Sequence, residues 1–466
     1  MDSSNQALLE RATLMVASFA SFATPFIGSA TNIALPSIGK EFSADAVTLS
    51  WVATSFLLSA AVFLTPFGRI ADIFGRKKVL NYGLIIFTIA SLLCAFSPGI
   101  NWLIFWRVVQ GLGGAMIFGT AMAIITSVFP KEKRGKALGI AVASVYTGLT
   151  LGPFIGGYLT KTWGWQGVFL FTVPLGIIAV VLSFIYLKQE WADAKGEKFD
   201  WRGSTIYGIA IVSLMYGFAE LPKLYGIVFT ILGFLGIALF IVFEKKQEFP
   251  VLNIQLFIKN KVFAFSNYAA LINYSATFAI GFLLSLYLQY IKGLNPQQAG
   301  QVLVIQPLLM AIFSPLTGRL SDKVDPGKIA SIGMALISVG LFVIAFIRMD
   351  TSIIFISFIL IVFGIGYALF SSPNTNAIMS SVEKKYYGIA SGTVGTMRLV
   401  GQMSSMGIAM MIFSIFIGKV EINPSNYDAF ILSLRTAFVI FGTLCFIGIF
   451  FSLGRGKQKN NKITSI

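Results

Sequence analysis

Fourteen apolar runs, each long enough to cross a bilayer, follow one another along this chain with short polar breaks between most of them. A hydrocarbon core about 30 Å thick takes roughly 20 apolar residues of helix to cross. Inside it each backbone N–H and C=O must find a partner within the protein, which a helix supplies by itself. The runs lie near residues 12–34, 47–67, 79–97, 101–129, 137–159, 165–187, 204–221, 224–243, 263–290, 298–317, 328–347, 352–379, 388–417 and 430–453. Such a chain folds as a set of membrane-crossing α-helices. With 56% hydrophobic and 12% charged residues, it also lies far from the soluble norm of roughly a quarter charged.

Charge placement tests the count. Lys and Arg collect in cytoplasmic loops, and with a cytoplasmic start 26 of the 35 fall in cytoplasmic segments and six in external loops. Arg107, Arg398 and Arg435 lie within spans. A missed or invented span would scramble that ratio, so we expect both termini in the cytoplasm and a multi-pass protein of a cell inner membrane. The net charge of +16 does not point to nucleic acid, because its carriers are spread over many short loops instead of one soluble face. Cys94 and Cys445 both fall inside spans, which argues against a disulfide. The first run is too long for a signal-peptide core and lacks a cleavage site, so it should stay in the mature protein.

Only two polar segments have any length, 188–202 and 244–250, and they flank spans seven and eight. The expected organisation is an N-terminal six-helix bundle (1–187), a linker with two inserted helices (188–261), and a C-terminal six-helix bundle with its tail (262–466). Spans seven and eight, parted only by Glu220-Leu221-Pro222-Lys223, could also be one re-entrant pair.

Four stretches carry chemistry. The first is Gly68-Arg69-Ile70-Ala71-Asp72-Ile73-Phe74-Gly75-Arg76-Lys77-Lys78, with an imperfect copy at Gly318-Arg319-Leu320-Ser321-Asp322. Asp72 can accept from backbone N–H groups or from Arg76, while Gly68 and Gly75 permit close backbone approach. A plain hinge would need neither the glycines nor the recurrence. In span four, Arg107 and Gln110 stand in an apolar run; a guanidinium there is costly unless it faces a partner or water, so it should point inward, with snorkelling as the competing reading. In span five, Gly148, Gly152 and Gly156 share one face, Pro153 bends the helix, and Gly157 follows. In the second half, Asn374 and Asn376 interrupt span twelve and Arg398 lies in span thirteen. With Asn32, which closes span one, and Gln110, these amides are candidates for cavity lining; hydrogen bonding between helices is the alternative.

The 68–78 pattern, G-x-x-x-D-x-x-G-R-K, resembles the signature loop of the major facilitator superfamily. The stretch around Arg107 and the pattern G-x-x-x-G-P-x-x-G-G from Gly148 resemble two further motifs of that superfamily, the second being that of its exporters. Asn32-Ile33-Ala34-Leu35-Pro36, together with the helix count, resembles the fourteen-helix drug:proton antiporter branch. The resemblance implies an all-α membrane protein with the major facilitator fold: two six-helix bundles plus a two-helix insert, rocking about a central site. It also implies roles: Gly68, Asp72, Gly75 and Arg76 as a conformational latch between the bundles, Arg107 as a charge acting on proton transfer, and Gly148, Gly152, Pro153, Gly156 and Gly157 as a seal against leakage.

One position departs from that pattern. Where many such antiporters carry an acid in helix one, five places before Asn32, this chain has Ile27, and it has no histidine at all. All 19 acidic residues fall in loops or near helix ends, with Asp45, Asp72 and Glu220 nearest to membrane depth. If Arg107 and Arg398 both face the cavity, it is electropositive and favours anionic, zwitterionic or neutral amphiphiles. The expected function is secondary active export of amphiphilic small molecules, multidrug efflux by proton antiport. The partners are the substrate, protons and the bilayer, the protein acting as a monomer without cofactor, metal or covalent chemistry. A facilitator or importer of a metabolite, and a non-transporting sensor or assembly subunit, are the alternatives.

Overall fold

The computed structural model describes residues 3–247, 250–252, 254–321, 323–382 and 387–456. Asp322 of the second loop copy, Lys384, Lys385 and the lysines after Gly456 lie outside the described residues. The chain forms α1 (Ser3–Phe42), α2 (Ala46–Phe74), α3 (Arg76–Ala95), α4 (Ile100–Val128), α5 (Lys131–Trp163) and α6 (Gln166–Tyr186). There follow α7 (Trp201–Glu220), α8 (Leu224–Glu244), α9 (Lys261–Ile291) and α10 (Pro296–Ser321). Last come α11 (Pro326–Ile344), α12 (Ile353–Ser380), α13 (Tyr387–Phe416) and α14 (Tyr427–Gly454).

Thirteen of these are apolar and long enough to cross a membrane. The fourteenth, α7, carries Arg202 and Glu220 at its ends but has 20 residues, about 30 Å of helix at 1.5 Å per residue. It packs along its whole length against α8, with Gly217 over Thr230 and Gly233 over Leu214. Two full-length antiparallel helices replace the re-entrant alternative.

Polar residues left in the short breaks start the helices. Asp45 caps α2 by accepting from Val47 N and Thr48 N, both at 2.9 Å. Asn295 and Gln298 form a reciprocal capping box ahead of α10, and Asp325 and Ser352 cap α11 and α12. Each cap pairs backbone N–H groups that a helix start leaves open. Within the spans, hydroxyls such as Thr24, Ser50, Ser91 and Thr120 donate to the carbonyl one turn back, so they enter the apolar layer without an unpaired hydrogen.

The helices form two six-helix bundles. In the first, α1 packs on α5, α3 on α4, α2 on α4, and α6 on α1 and α3. In the second, eight helices later, α9 packs on α13, α11 on α12, α10 on α12, and α14 on α9 and α11. The same pairings recur in the same order, which is the signature of an internal repeat. The bundles meet along two seams, α2 with α13 and α5 with α10. The inserted pair covers the first seam: Tyr207 of α7 donates to Ala61 O of α2 at 3.0 Å, and Ser414 of α13 donates to Leu221 O. At the opposite end of α7, Glu220 is held by Lys223 and by Lys419 beyond α13. Tyr225 and Glu220 raise the Lys223 ammonium above its ordinary value.

Candidate functional site

The two ends of the molecule are built differently. At the end away from the 68–78 loop, the bundles are tied together. Ser285 on α9 donates to Asn32 O on α1 at 2.7 Å, Gln289 to Ile33 O at 3.0 Å, and Lys161 on α5 to Gln297 on α10 at 2.9 Å. Ala46 N, starting α2, donates to Val420 O at 3.2 Å. Asn32 is buried at this crossing, its side chain beside Gly281.

The glycine motif of α5 makes that closure close-packed. A Cβ at Gly148 would overlap Phe22 O, one at Gly152 the Ser29 hydroxyl, and one at Gly156 would come within 2.7 Å of Ala30 Cβ; these three glycines let α1 lie directly on α5. The next face over meets the other bundle. Gly157 receives the backbone of Pro296, and Pro153 O rests on Gly300, where no Cβ would fit. One motif therefore seats α5 against its own bundle and against α10 of the second.

Toward the loop end α5 and α10 part. Between them opens a groove of about 470 Å³ lined by Tyr146, Thr147, Thr150, Leu308 and Ser314 among others, with Ser372 of α12. Among the described residues no charged one lines it, and its polar side chains are hydroxyls. That volume suits a drug-sized organic molecule. The α2–α13 seam stays in contact here, Thr65 and Thr396 sharing a hydrogen bond of 2.8 Å.

The arginines divide. Arg107 points into the protein but not into the groove. It is 1% exposed, donates to Val52 O at 2.9 Å and to Gln110 Oε1 at 2.6 Å, and stacks 4.6 Å above the Phe56 ring, while Gln110 passes the chain on to Ser91 at 2.7 Å. Both residues cross-link α2, α3 and α4 inside the first bundle, so neither lines the cavity as the sequence reading had them. The reason is packing: carbonyl, amide and aromatic partners converge on the guanidinium, which needs no water. Arg398 is only half-buried. On α13 it falls between Gly395 and Thr396, which meet α2, and Gly401, which meets α9; its guanidinium lies 5.9 Å from the Tyr274 ring. Neither arginine is among the described residues that line the groove, so the electropositive-cavity expectation finds no charge in that lining.

Asn374 and Asn376 join helices. Asn374 donates to Ser266 O of α9 at 3.1 Å and Asn376 to Ser321 of α10 at 2.9 Å.

The 68–78 loop is clasped by the linker that follows α6. Arg76 binds Asp72 on its own loop through Nε at 2.8 Å, Ser127 of α4 at 2.9 Å and Asp193 of the linker at 2.7 Å. Arg69 pairs with Glu197, Glu190 accepts from Lys77 N at 2.8 Å, and Ala194 N donates to Asp72 O at 2.9 Å. Gly75 has φ +123°, and a Cβ there would run into the Glu190 carboxyl. A Cβ at Gly68 would meet nothing, but its Cα is approached by Gly119 of α4. These partners of the loop come from α4 and the linker; Asp322 and residues 383–386 of the second bundle, where the resemblance implied the latch closes, lie outside the described residues.

Two buried ions escaped the sequence reading. Glu244, placed in a loop, is 2% exposed, and Arg455, placed in the tail, is 4% exposed. Arg455 donates to Ser452 O at 2.6 Å and Ser266 Oγ at 3.2 Å, tying the end of α14 to α9. Burial pulls it down to about 10, with Asp325 opposing. Each follows a long apolar run directly, and no local signal separates such an end from a solvated one. Cys94 and Cys445 are both free.

Residues 17–406 match the Major Facilitator Superfamily. The chain belongs to that family. It is a transporter and not an enzyme. Among curated relatives, it is 30% identical over 434 residues to the riboflavin transporter RibZ of Clostridioides difficile (strain 630), covering 92% of this chain and 93% of the relative. It is 29% identical over 389 residues to multidrug resistance protein 3 of Bacillus subtilis (strain 168), covering 82% and 74%. Among solved structures, the fold matches a bacterial homologue of the human lysosomal transporter Spinster, inward-facing and unoccupied, with TM-score 0.69, 16% identity and 98% of both chains covered. A nucleoside transporter, NupG, matches with TM-score 0.64 and 14% identity over 96% of this chain and all of that one. This superfamily member is therefore a multi-pass membrane transporter of small molecules.

Proposed function

We propose that this transporter is a secondary active exporter of amphiphilic small molecules, a fourteen-helix drug:proton antiporter, held here in its state open to the cytoplasm. The observation that carries the reading is the α5 seam: its glycines pack α5 on α1 and α10 at the end away from the basic loops, leaving there an outer recess of about 410 Å³ lined by Lys40, Gln289 and Glu421 among others, while an uncharged groove stays open between α5 and α10 at the other end. Bundles spanning 1–187 and 262–466 would rock about the groove, with 188–261 as the insert. The basic loops support a cytoplasmic open end, both termini included, in a bacterial inner membrane. Relatives named for multidrug resistance support export. The hydroxyl-lined groove favours neutral and weakly polar amphiphiles, and Arg398, outside that lining on α13, would give anions the advantage over cations through its field.

The test is flux in reconstituted vesicles. Dye accumulation driven by an imposed pH gradient, collapsing with a protonophore, is the expected result; gradient-independent equilibration would make the protein a facilitator. A second reading, transport of a flavin-sized metabolite, is favoured by the relative of nearly equal length named a riboflavin transporter. Competition between riboflavin and a multidrug dye in the same vesicles separates the two.

A further inference from the structure

Two carboxyl groups meet at the base of the inserted helix pair. Asp200 caps α7, its Oδ1 accepting from Gly203 N at 2.8 Å, and Glu244 ends α8, its Oε2 accepting from Leu252 N at 3.1 Å. The other oxygen of each, Asp200 Oδ2 and Glu244 Oε1, is buried and has no hydrogen-bond partner. Both crowd the same point, for a Cβ on Gly203 would overlap the two at once. Glu244 is the one carboxylate among the described residues that is fully buried.

Among the described residues the surroundings offer these oxygens no cation. Lys198, Arg202, Lys245 and Lys246 flank them in sequence and are all exposed. On α2 and the linker, Arg69 is paired with Glu197, and Arg76 with Asp72 and Asp193. No ion pair among the described residues includes Asp200 or Glu244.

An ionised carboxylate only accepts hydrogen bonds, so two of them cannot serve each other. Ionised together in a dry site they would repel, and each would hold an unmet acceptor. A single proton removes both problems, since the protonated oxygen donates to its neighbour, as in other paired carboxyls that titrate as a unit. We propose that Asp200 and Glu244 bind one proton between them, forming a proton site in the insert. Its part in coupling rests on the antiport reading above; its existence does not. The position gives it leverage. The linker runs from α6 across the 68–78 loop straight to Asp200, so gain or loss of this proton acts on the anchor of the segment that clasps Arg69 and Arg76.

Infrared difference spectroscopy on the purified full-length chain in lipid reads a protonated carboxyl through its C=O band, which shifts in D₂O. The wild type is expected to show such a band, lost reversibly as pH rises. Glu244→Gln and Asp200→Asn should each lose it while keeping helical circular dichroism, because Asn still caps a helix. A wild type with no titrating band, or a band that survives in both variants, overturns the proposal. So does stabilisation of the wild type by Na⁺ or Mg²⁺ that Glu244→Gln abolishes, for then a metal cation lies between the oxygens. The spectrum does not depend on transport, so a failed flux assay and a failed proton site are separate results.

Discussion

Ser285 Oγ reaches across from α9 to the carbonyl of Asn32 on α1, 2.7 Å away, and so joins the two bundles at the end where the α5 glycines bring them together. A carbonyl already spent within a helix accepts this second bond only if the two backbones approach closely. Ser285 and Asn32 are both buried there, so on the alternating-access reading proposed above their bond would break when that end opens.

Adding bulk to the seam should therefore shift the conformational balance. Gly300→Val places a branched side chain against Pro153 O, where even a Cβ has no room. Overpacking costs about 1–3 kcal/mol, enough to depopulate the closed-end state roughly 5- to 150-fold. Spin labels at positions 161 and 297, measured by electron–electron resonance, should show a longer distance population in the variant. An unchanged distribution would show that the seam does not hold this end shut.

Arg107 should act on folding more than on substrate choice. Arg107→Met leaves Gln110 Oε1 without its donor and removes the second bond at Val52 O, a carbonyl already used within α2, at about 1–3 kcal/mol for the buried amide oxygen left unpaired. The purified variant should melt several degrees lower, and Gln110→Ala should lose less, since Arg107 keeps its bond to Val52. Substrate preference, measured on the surviving protein with matched anionic and cationic dyes, should match the wild type.

Arg398→Gln should give the reverse pattern. This side chain is half-buried over Tyr274 and has no ion-pair partner among the described residues. Its loss should leave the melting temperature nearly unchanged and reduce export of an anionic dye by about tenfold relative to a neutral one, the effect of ~1.4 kcal/mol. Strong export of a dication, undiminished and unimproved by the change, would remove Arg398 from any role in selecting charge.

The linker clasp should be weak and salt-sensitive. Its acids Asp193 and Glu197 are 70% and 35% exposed, and exposed pairs are worth about 0.2–1 kcal/mol each. Asp193→Asn combined with Glu197→Gln should raise hydrogen exchange across 188–200 several-fold with little change in global stability, and added salt should have the same effect on the wild type. Gly75→Ala should loosen the clasp further, because φ +123° and the Glu190 carboxyl both exclude a methyl there.

Much of this protein was legible without coordinates. Apolar length predicts the long helices, and the less apolar run of α7 still reads as one of them, because a residue's cost in hydrocarbon depends on that residue alone. The recurrence of the 68–78 pattern points to a repeated bundle, and the pairings of α1–α6 with those of α9–α14 show it. The glycines at 148, 152 and 156 announce a close helix neighbour by their spacing alone, though not which helix it is. That the next face, at Pro153 and Gly157, serves α10 required the fold.

Neighbours not yet chosen are what local sequence leaves out. Hydropathy places Arg107 at a given depth in a span, but only the convergence of Val52, Phe56 and Gln110 decides that it faces the bundle interior and not the groove. Glu244 and Arg455 stand at helix ends like many solvated ions, and the docking of α7 and of α9 against them sets their burial. Length, apolarity and charge are properties of the residues themselves, so the sequence determined the helices, their order and the basic loops. Which faces meet is a sum over contacts far apart in the chain, and the tertiary structure alone decided the closed end, the open groove and the place where two carboxyls touch.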